Sequence, residues 1–166
     1  GIRRVTGLDA GIKWPNDVVV NGHKVCGILT EMNTEVDYIN YVVIGIGINV
    51  NQKEFPEEIR EIAGSLCLEA GKQIGRAALI AAIMEELERI YEIFQKTEDL
   101  SGLYEEYNQI CVNCGRKIRV LEPGHEYTGT TEGINDSGEL IVKKTDGKTV
   151  CVYAGEVSVR GLYGYV

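Results

Sequence analysis

The sequence predicts an α+β fold, with a mixed or antiparallel sheet covered by helices, followed by a small β-barrel. Three observations predict it. Residues 1–50 hold β-branched runs separated by turn signals. The middle of the chain carries two stretches with helical apolar spacing. After Cys114, short strand-like runs return, broken by Pro123-Gly124, Asp136-Ser137-Gly138 and Asp146-Gly147. Strands so closely punctuated build barrels or sandwiches.

The first strands flank Asn21-Gly22-His23. Asp17-Val18-Val19-Val20 lies on one side and Lys24 to Glu31 on the other. An Asn-Gly pair between β-branched runs predicts a hairpin, because both residues tolerate positive φ. Tyr38 to Asn49 is a further strand. Its centre, Tyr41 to Ile48, lacks polar alternation, which predicts burial on both faces.

From Ala77 to Phe94, apolar residues recur at Ile80, Met84, Leu87, Tyr91 and Phe94, with Ile83 and Ile90 widening the stripe. That spacing predicts an amphipathic helix packed on the sheet. A shorter helix is predicted over Leu100 to Ile110, with Leu103, Tyr104 and Tyr107 as its apolar side. The change of pattern near Val112 to Arg116 divides the chain into residues 1–113 and 114–166. About fifty residues bury little core alone, so the second part is expected to lean on the first.

The bulk numbers narrow the function. The chain has 166 residues, 44% of them hydrophobic and 25% charged, with a formal net charge of −8, an ordinary globular composition. An acidic chain repels phosphate backbones, which argues against nucleic acid as a partner of this stretch. A nucleotide needs only a local positive site. No apolar run approaches the ~20 residues that span a bilayer, and Gly1 to Gly7 has no apolar signal core. A cytoplasmic location without a membrane partner is expected. The five cysteines are scattered. Cys111 and Cys114 form one CxxC, without a second pair or histidines at ligand spacing, so no metal site is expected.

Four segments could carry chemistry. In Lys13-Trp14-Pro15-Asn16-Asp17, Pro15 fixes its own φ and pushes Trp14 towards extended geometry. A lysine beside such a rigid segment is a fixed cation, suited to balancing a carboxylate and a phosphate brought together for reaction. Asn16 and Asp17 can brace the turn. A solvated lysine beside a buried tryptophan is the competing reading. In Gly45-Ile46-Gly47-Ile48-Asn49, glycines inside a strand mark a place where something approaches closely, a ligand on one reading and a packed helix on the other. Asn49 could offer its amide to a base or phosphate. The third glycine of a dinucleotide fingerprint is absent. Gly27 sits mid-strand in Lys24 to Glu31, as a close approach or a bend. In Gly155 to Gly161, Glu156 and Arg160 are four apart and share a strand face.

Lys-Trp-Pro-Asn-Asp, then Lys-Val-Cys-Gly-Ile-Leu-Thr-Glu, then Gly-Ile-Gly-Ile-Asn-Val-Asn, in this order and at these separations, resembles the biotin–protein ligase family. Gly155-Glu156-Val157-Ser158-Val159-Arg160 resembles the end of that family's barrel. Ala63-Gly64-Ser65-Leu66 is similar to the family's Ala-Thr-Ser-Leu, with Gly64 in place of threonine. The resemblance covers nearly the whole chain. It implies the later part of a ligase catalytic domain followed by an SH3-like barrel. It further implies that biotin and ATP, with Mg2+ on the nucleotide, give biotinyl-AMP. The biotinyl group then passes to a lysine of the biotin carboxyl carrier protein of acetyl-CoA carboxylase.

Carried onto this sequence, the resemblance makes Lys13 the catalytic residue, contacting biotin's carboxylate and the reacting phosphate. Gly27 would line the biotin pocket, Gly47, Asn49 and Arg160 would serve ATP, and Glu156 would couple the barrel to the active site. The family's glycine- and arginine-rich biotin loop lies upstream of Lys-Trp-Pro-Asn-Asp and is not in this sequence, nor is the DNA-binding domain of the regulatory subgroup. The expectation is therefore an incomplete fragment, inactive alone. A lipoate–protein ligase is the nearest alternative. A non-catalytic interaction or dimerisation module is the other, and a homodimer stays open.

Overall fold

The computed structural model describes residues 1–121, 126–154, 158–161 and 165–166. The elements run α1 (Ile2–Thr6), β1 (Gly11–Lys13), β2 (Asp17–Val20), β3 (His23–Thr34), β4 (Ile39–Ile48), α2 (Leu66–Ala70), α3 (Arg76–Thr97), α4 (Tyr104–Ile110), then β5 (Lys117–Leu121), β6 (Tyr127–Ile134), β7 (Leu140–Lys144), β8 (Thr149–Val152) and β9 (Ser158–Gly161). They form two antiparallel sheets, β1-β2-β3-β4 and β8-β7-β6-β5-β9. The α+β class is as the sequence predicts. Among the described residues the second sheet runs from edge β8 to edge β9 without a ladder joining them, so a closed barrel is not seen in the ladders. No described helix is long and apolar enough to cross a membrane.

The predicted hairpin forms. Asn21 (φ 50°) and Gly22 (φ 84°) make the two-residue turn between β2 and β3, the positive pair that matches the strands' twist. Gly138 and Gly147 turn with positive φ between β6 and β7 and between β7 and β8, as the turn signals indicate. The short helices α1 and α2 lie outside the sequence prediction. Gly7 ends α1 at φ 75°, and the Ser65 side chain caps α2 by accepting from the Leu68 N–H.

Two expectations about burial are overturned. The strand read as buried on both faces is the sheet's edge. Among the described residues β4 pairs with β3 alone, and its apolar residues from Ile39 to Ile46 are 40% (Ile46) to 58% (Tyr41) exposed, while Ile48 at its end packs on the first core. Its composition expresses what the strand's surface favours, whereas burial needs a covering layer that no described element provides. The stripe Ile80, Met84, Leu87, Tyr91 and Phe94 on α3 likewise faces outward. The inward face is displaced by one residue, about 100° around the helix. It runs through Leu79, Ala82, Ile83, Glu86, Ile90, Ile93 and Thr97. The helix is apolar over an arc wide enough for both stripes, and packing selects one. Ile2, Val5 and Ile83 join the cluster of Val20, Val25, Leu66, Ile74 and Leu79, while Arg4 pairs with Glu85 and Arg89 with Glu106 at 3.0 Å.

The second sheet's core is not confined to the second half. Trp14, 2% exposed, lies among Ile118, Val120, Ile134, Leu140, Val142 and Val159. Cys111 belongs to the same cluster, and Ile12 bridges to Cys111 in parallel. The expected leaning of one part on the other is carried out by a tryptophan of the first hairpin.

Candidate functional site

The site grows from the β1–β2 connection. Lys13 and Asp17 face each other in the ladder, and Trp14-Pro15-Asn16 closes the turn with a cis Trp14–Pro15 peptide. The turn is fixed from both sides. The Trp14 N–H donates to Asn113 Oδ1 at 2.8 Å and its indole N–H to the Gly138 carbonyl at 3.1 Å. Asn16 Nδ2 donates to the Ile28 carbonyl at 2.7 Å, and the Ile28 N–H returns a bond to the Asn16 carbonyl at 2.9 Å. With its neighbours so held, Lys13 has little choice of position.

Lys13 is 4% exposed, which is unusual for a lysine. Among the described residues its ammonium makes no salt bridge or hydrogen bond. It sits 4.4 Å from the centre of the Tyr165 ring, and the Arg160 guanidinium lies 5.4 Å from the same ring. The Tyr165 hydroxyl donates to Asp17, and Asp17 pairs with Lys24 at 2.5 Å. Burial pushes the Lys13 ammonium below the ordinary lysine value. Asp17 pulls it back up, and Arg160 and Lys24 push it down further. Burial raises the Tyr165 phenol above its usual value, and its bond to Asp17 adds to this. The Cys26 thiol, buried beside this group, is pushed up to about 11. The result is three cations around one carboxylate, a local positive site in an acidic chain.

A cleft of about 640 Å³ opens on this group, lined by Lys13, Asp17 and Arg160 with Ile28, Leu29 and Thr30. A shallower groove adjoins it along β3 and β4, floored by Gly27, Gly45 and Gly47 with Lys24 at its side. Gly27 and Gly47 are ladder partners. A Cβ at Gly27 would lie 3.1 Å from Lys24 Cε and 3.2 Å from its Nζ, while one at Gly47 would meet only the Gly27 carbonyl, at 3.7 Å. Gly27 therefore gives Lys24 room, and Gly47 leaves open space. A second, apolar cavity of about 370 Å³ lies between α4, the second sheet and the β1–β2 turn, lined by Ile12, Trp14 and Pro15 but not by Lys13 itself.

Of the residues singled out in sequence, the structure brings Lys13 and Arg160 together and places Gly27 and Gly47 beside them. Asn49 stands apart at the end of β4. Its Nδ2 donates to the Gly64 carbonyl at 3.0 Å and its backbone bonds Val25 and Leu66, so it braces the turn into α2. Glu156 lies outside the described residues. Sequence reasoning passed over Lys24, which lies in a recognised motif, and over Asp17 as the partner of two groups. It passed over Tyr165 too, which no spacing marks.

The family model described as Biotin/lipoate A/B protein ligase family matches residues 1–49, and the one described as Biotin protein ligase C terminal domain matches residues 114–160. The chain is 38% identical over 149 residues to the bifunctional ligase/repressor BirA of Bacillus subtilis, covering 89% of this chain and 46% of that protein. It is 34% identical over 150 residues to the biotin–[acetyl-CoA-carboxylase] ligase of Mycobacterium tuberculosis, covering 90% and 53%. The structure of biotin protein ligase from Aquifex aeolicus in complex with biotin and ATP aligns with a TM-score of 0.81 at 27% identity, over 96% of this chain and 66% of that one. The chain thus spans about half the length of these two relatives. The two family matches lie on the two sheets, Lys13 in the first and Arg160 in the second, and on these grounds the chain belongs to the biotin protein ligase family.

Proposed function

We propose that this chain forms the lysine-centred part of an ATP-dependent biotin–protein ligase, with residues 1–113 as the later part of the catalytic domain and 114–166 as the appended domain. The observation that carries the reading is Lys13, a buried cation without an acceptor among the described residues, set with Arg160 on a cleft of adequate size. A buried charge of that kind is costly unless an anion meets it. Two anions must meet in the first half-reaction. A biotin carboxylate oxygen attacks the α-phosphorus of ATP, the bond to pyrophosphate breaks, and biotinyl-AMP forms. Lys13 would offset the charge gathered between carboxylate and phosphate, and Arg160 would steady the nucleotide phosphates. Gly27 and Gly47 would leave room for the bound ligand. In the second half-reaction a lysine amine of a biotin carboxyl carrier protein attacks the acyl carbon and AMP leaves. Asn49 would act on the nucleotide through the turn that it braces.

Mg2+ is expected to arrive on the nucleotide. The described residues hold no cluster of three or more metal-ligating side chains, and Asp17 is already committed to Lys24 and Tyr165. They do not fit a resident ion, and no step is assigned to one. The match of the second half to a biotin protein ligase domain supports biotin over lipoate as the acyl substrate. The reading places the protein in the cytoplasm, where ATP and carboxylases meet. Pyrophosphate release by the full-length protein with biotin, and its loss in Lys13→Ala, tests the reading. Release with lipoate instead would replace biotin by lipoate.

A further inference from the structure

We propose that Tyr165 is a positioning residue for Lys13, holding the lysine's ammonium on its ring so that the cation stays charged and in place, with its hydrogen-bond donors not taken up by the ring, until an anionic substrate reaches it. The inference rests on the reading of Lys13 as the residue that meets the substrate carboxylate.

Four observations carry it. The Tyr165 ring centre is 4.4 Å from Lys13 Nζ and 5.4 Å from the Arg160 guanidinium, both inside the roughly 6 Å range of cation–π attraction. Lys13 is 4% exposed, so little bulk water screens the ring's attraction for its ammonium. The ring is itself anchored, because its hydroxyl donates to Asp17, whose other partner is Lys24. The cleft reaches Lys13 and Arg160 but is not lined by Tyr165, so ring and ligand contact the two cations from different directions. A plug over the site would line the cleft.

The choice of an aromatic ring has a chemical consequence. A carboxylate in its place would neutralise Lys13 and compete with the substrate for it. An aliphatic side chain would leave a buried charge uncompensated. The ring stabilises the cation by its quadrupole and does not use the ammonium's hydrogen-bond donors, which remain for substrate oxygens. It also spans the two sheets. It touches Lys13 and Asp17 of the first and Arg160 of the second, so the lysine is set only when the second sheet is docked.

The test uses the full-length protein and biotin-dependent pyrophosphate release, comparing Tyr165→Ala, Tyr165→Leu, Tyr165→Phe, Lys13→Ala and the double variant Tyr165→Ala/Lys13→Ala. Tyr165→Ala is expected to lower kcat/KM for biotin about tenfold, the size of a desolvated cation–π contact. Tyr165→Leu, which keeps apolar bulk without the ring, should fall as far. Tyr165→Phe should recover most of the loss, lacking only the bond to Asp17. In the Lys13→Ala background, Tyr165→Ala should add nothing. Leu retaining full activity, Phe failing as badly as Ala, or additive losses in the double variant would each overturn the proposal. Should Tyr165→Ala not fold, the Leu and Phe variants decide alone. If Lys13→Ala itself releases pyrophosphate normally, the reading of the site fails, which separates that failure from failure of the role given to Tyr165.

Discussion

The backbone N–H of Trp14 donates to the Asn113 side chain at 2.8 Å, across 99 residues of sequence. Trp14 follows Lys13 directly, and Asn113, 1% exposed, sits where the chain enters the second sheet. A side chain in the second sheet's core is thus covalently next to the lysine of the first. The position of Lys13 depends on how the two sheets are docked.

Trp14→Ala should therefore destabilise the chain by about 3–5 kcal/mol, the usual cost of emptying a large aromatic site. Asn113→Ala should cost about 1–3 kcal/mol by leaving a buried N–H unpaired. Denaturant unfolding gives both. Trp14 is the single tryptophan, so its emission reports the docking directly, blue-shifted when folded and moving to the red as the second sheet's core opens. A red, solvent-like emission from the folded chain would contradict the packing.

The pH dependence follows from Lys13. Its folded value lies below that of an unfolded lysine, chiefly through burial. Between the two values the unfolded chain binds more protons, so this group's contribution to stability rises with pH across that window and is absent below it. Activity moves the opposite way, because the cation is lost sooner than from an ordinary lysine. The basic limb of the adenylation profile should fall below the usual lysine range. Asp17→Asn removes the interaction that raises Lys13 and should shift the limb lower still. A limb that stays in place in a folded Asp17→Asn protein would remove Lys13 as its source.

The two groove glycines should behave differently. A methyl at Gly27 meets the flexible end of Lys24. Gly27→Ala is expected to cost little stability, within about 1 kcal/mol, while displacing Lys24 from Asp17. Gly47→Val should also fold, since only the Gly27 carbonyl lies near, at 3.7 Å. It should weaken ATP binding by filling the groove. Calorimetric titration with ATP, run beside thermal unfolding, separates the two effects, and normal ATP binding by Gly47→Val would place the nucleotide elsewhere.

Made alone, the 166-residue chain should self-associate. Among the described residues β4 is an unpaired edge with apolar residues on both faces, and an edge of that kind templates pairing with other chains. Val43→Lys, placed at a residue 50% exposed, should shift the sedimentation profile towards monomer without loss of stability, as charges on edge strands do. A wild-type chain that stays monomeric at high concentration would argue against it.

How much of this was legible in the sequence depends on the range of the interaction. The Asn21-Gly22 turn, the glycine turns of the second sheet and the extent of α3 are local, and local chemistry sets them. Which stripe of α3 is buried depends on where α1 and the first core meet it, and no periodicity within the helix chooses between stripes one residue apart. β4 shows the same limit, since its apolar run states a preference for burial and not the presence of a covering layer. In the site, the rigid turn marked Lys13 as a candidate cation, and the family resemblance, not the turn, gave it a role. Tyr165 could not be read from the sequence, because it reaches Asp17 across 148 residues and nothing in its neighbourhood marks it.

Under the proposed function, Lys13 meets the substrate's carboxylate and phosphate. The most direct measurement is biotin-dependent pyrophosphate release by full-length Lys13→Ala beside wild type, with unfolding followed on the same samples. The predicted result is a loss of about a hundredfold or more, the scale of removing one preorganised electrostatic contact to a transition state, with the unfolding midpoint unchanged or raised, since a buried charge has been removed. Undiminished pyrophosphate release by a folded Lys13→Ala protein would contradict it.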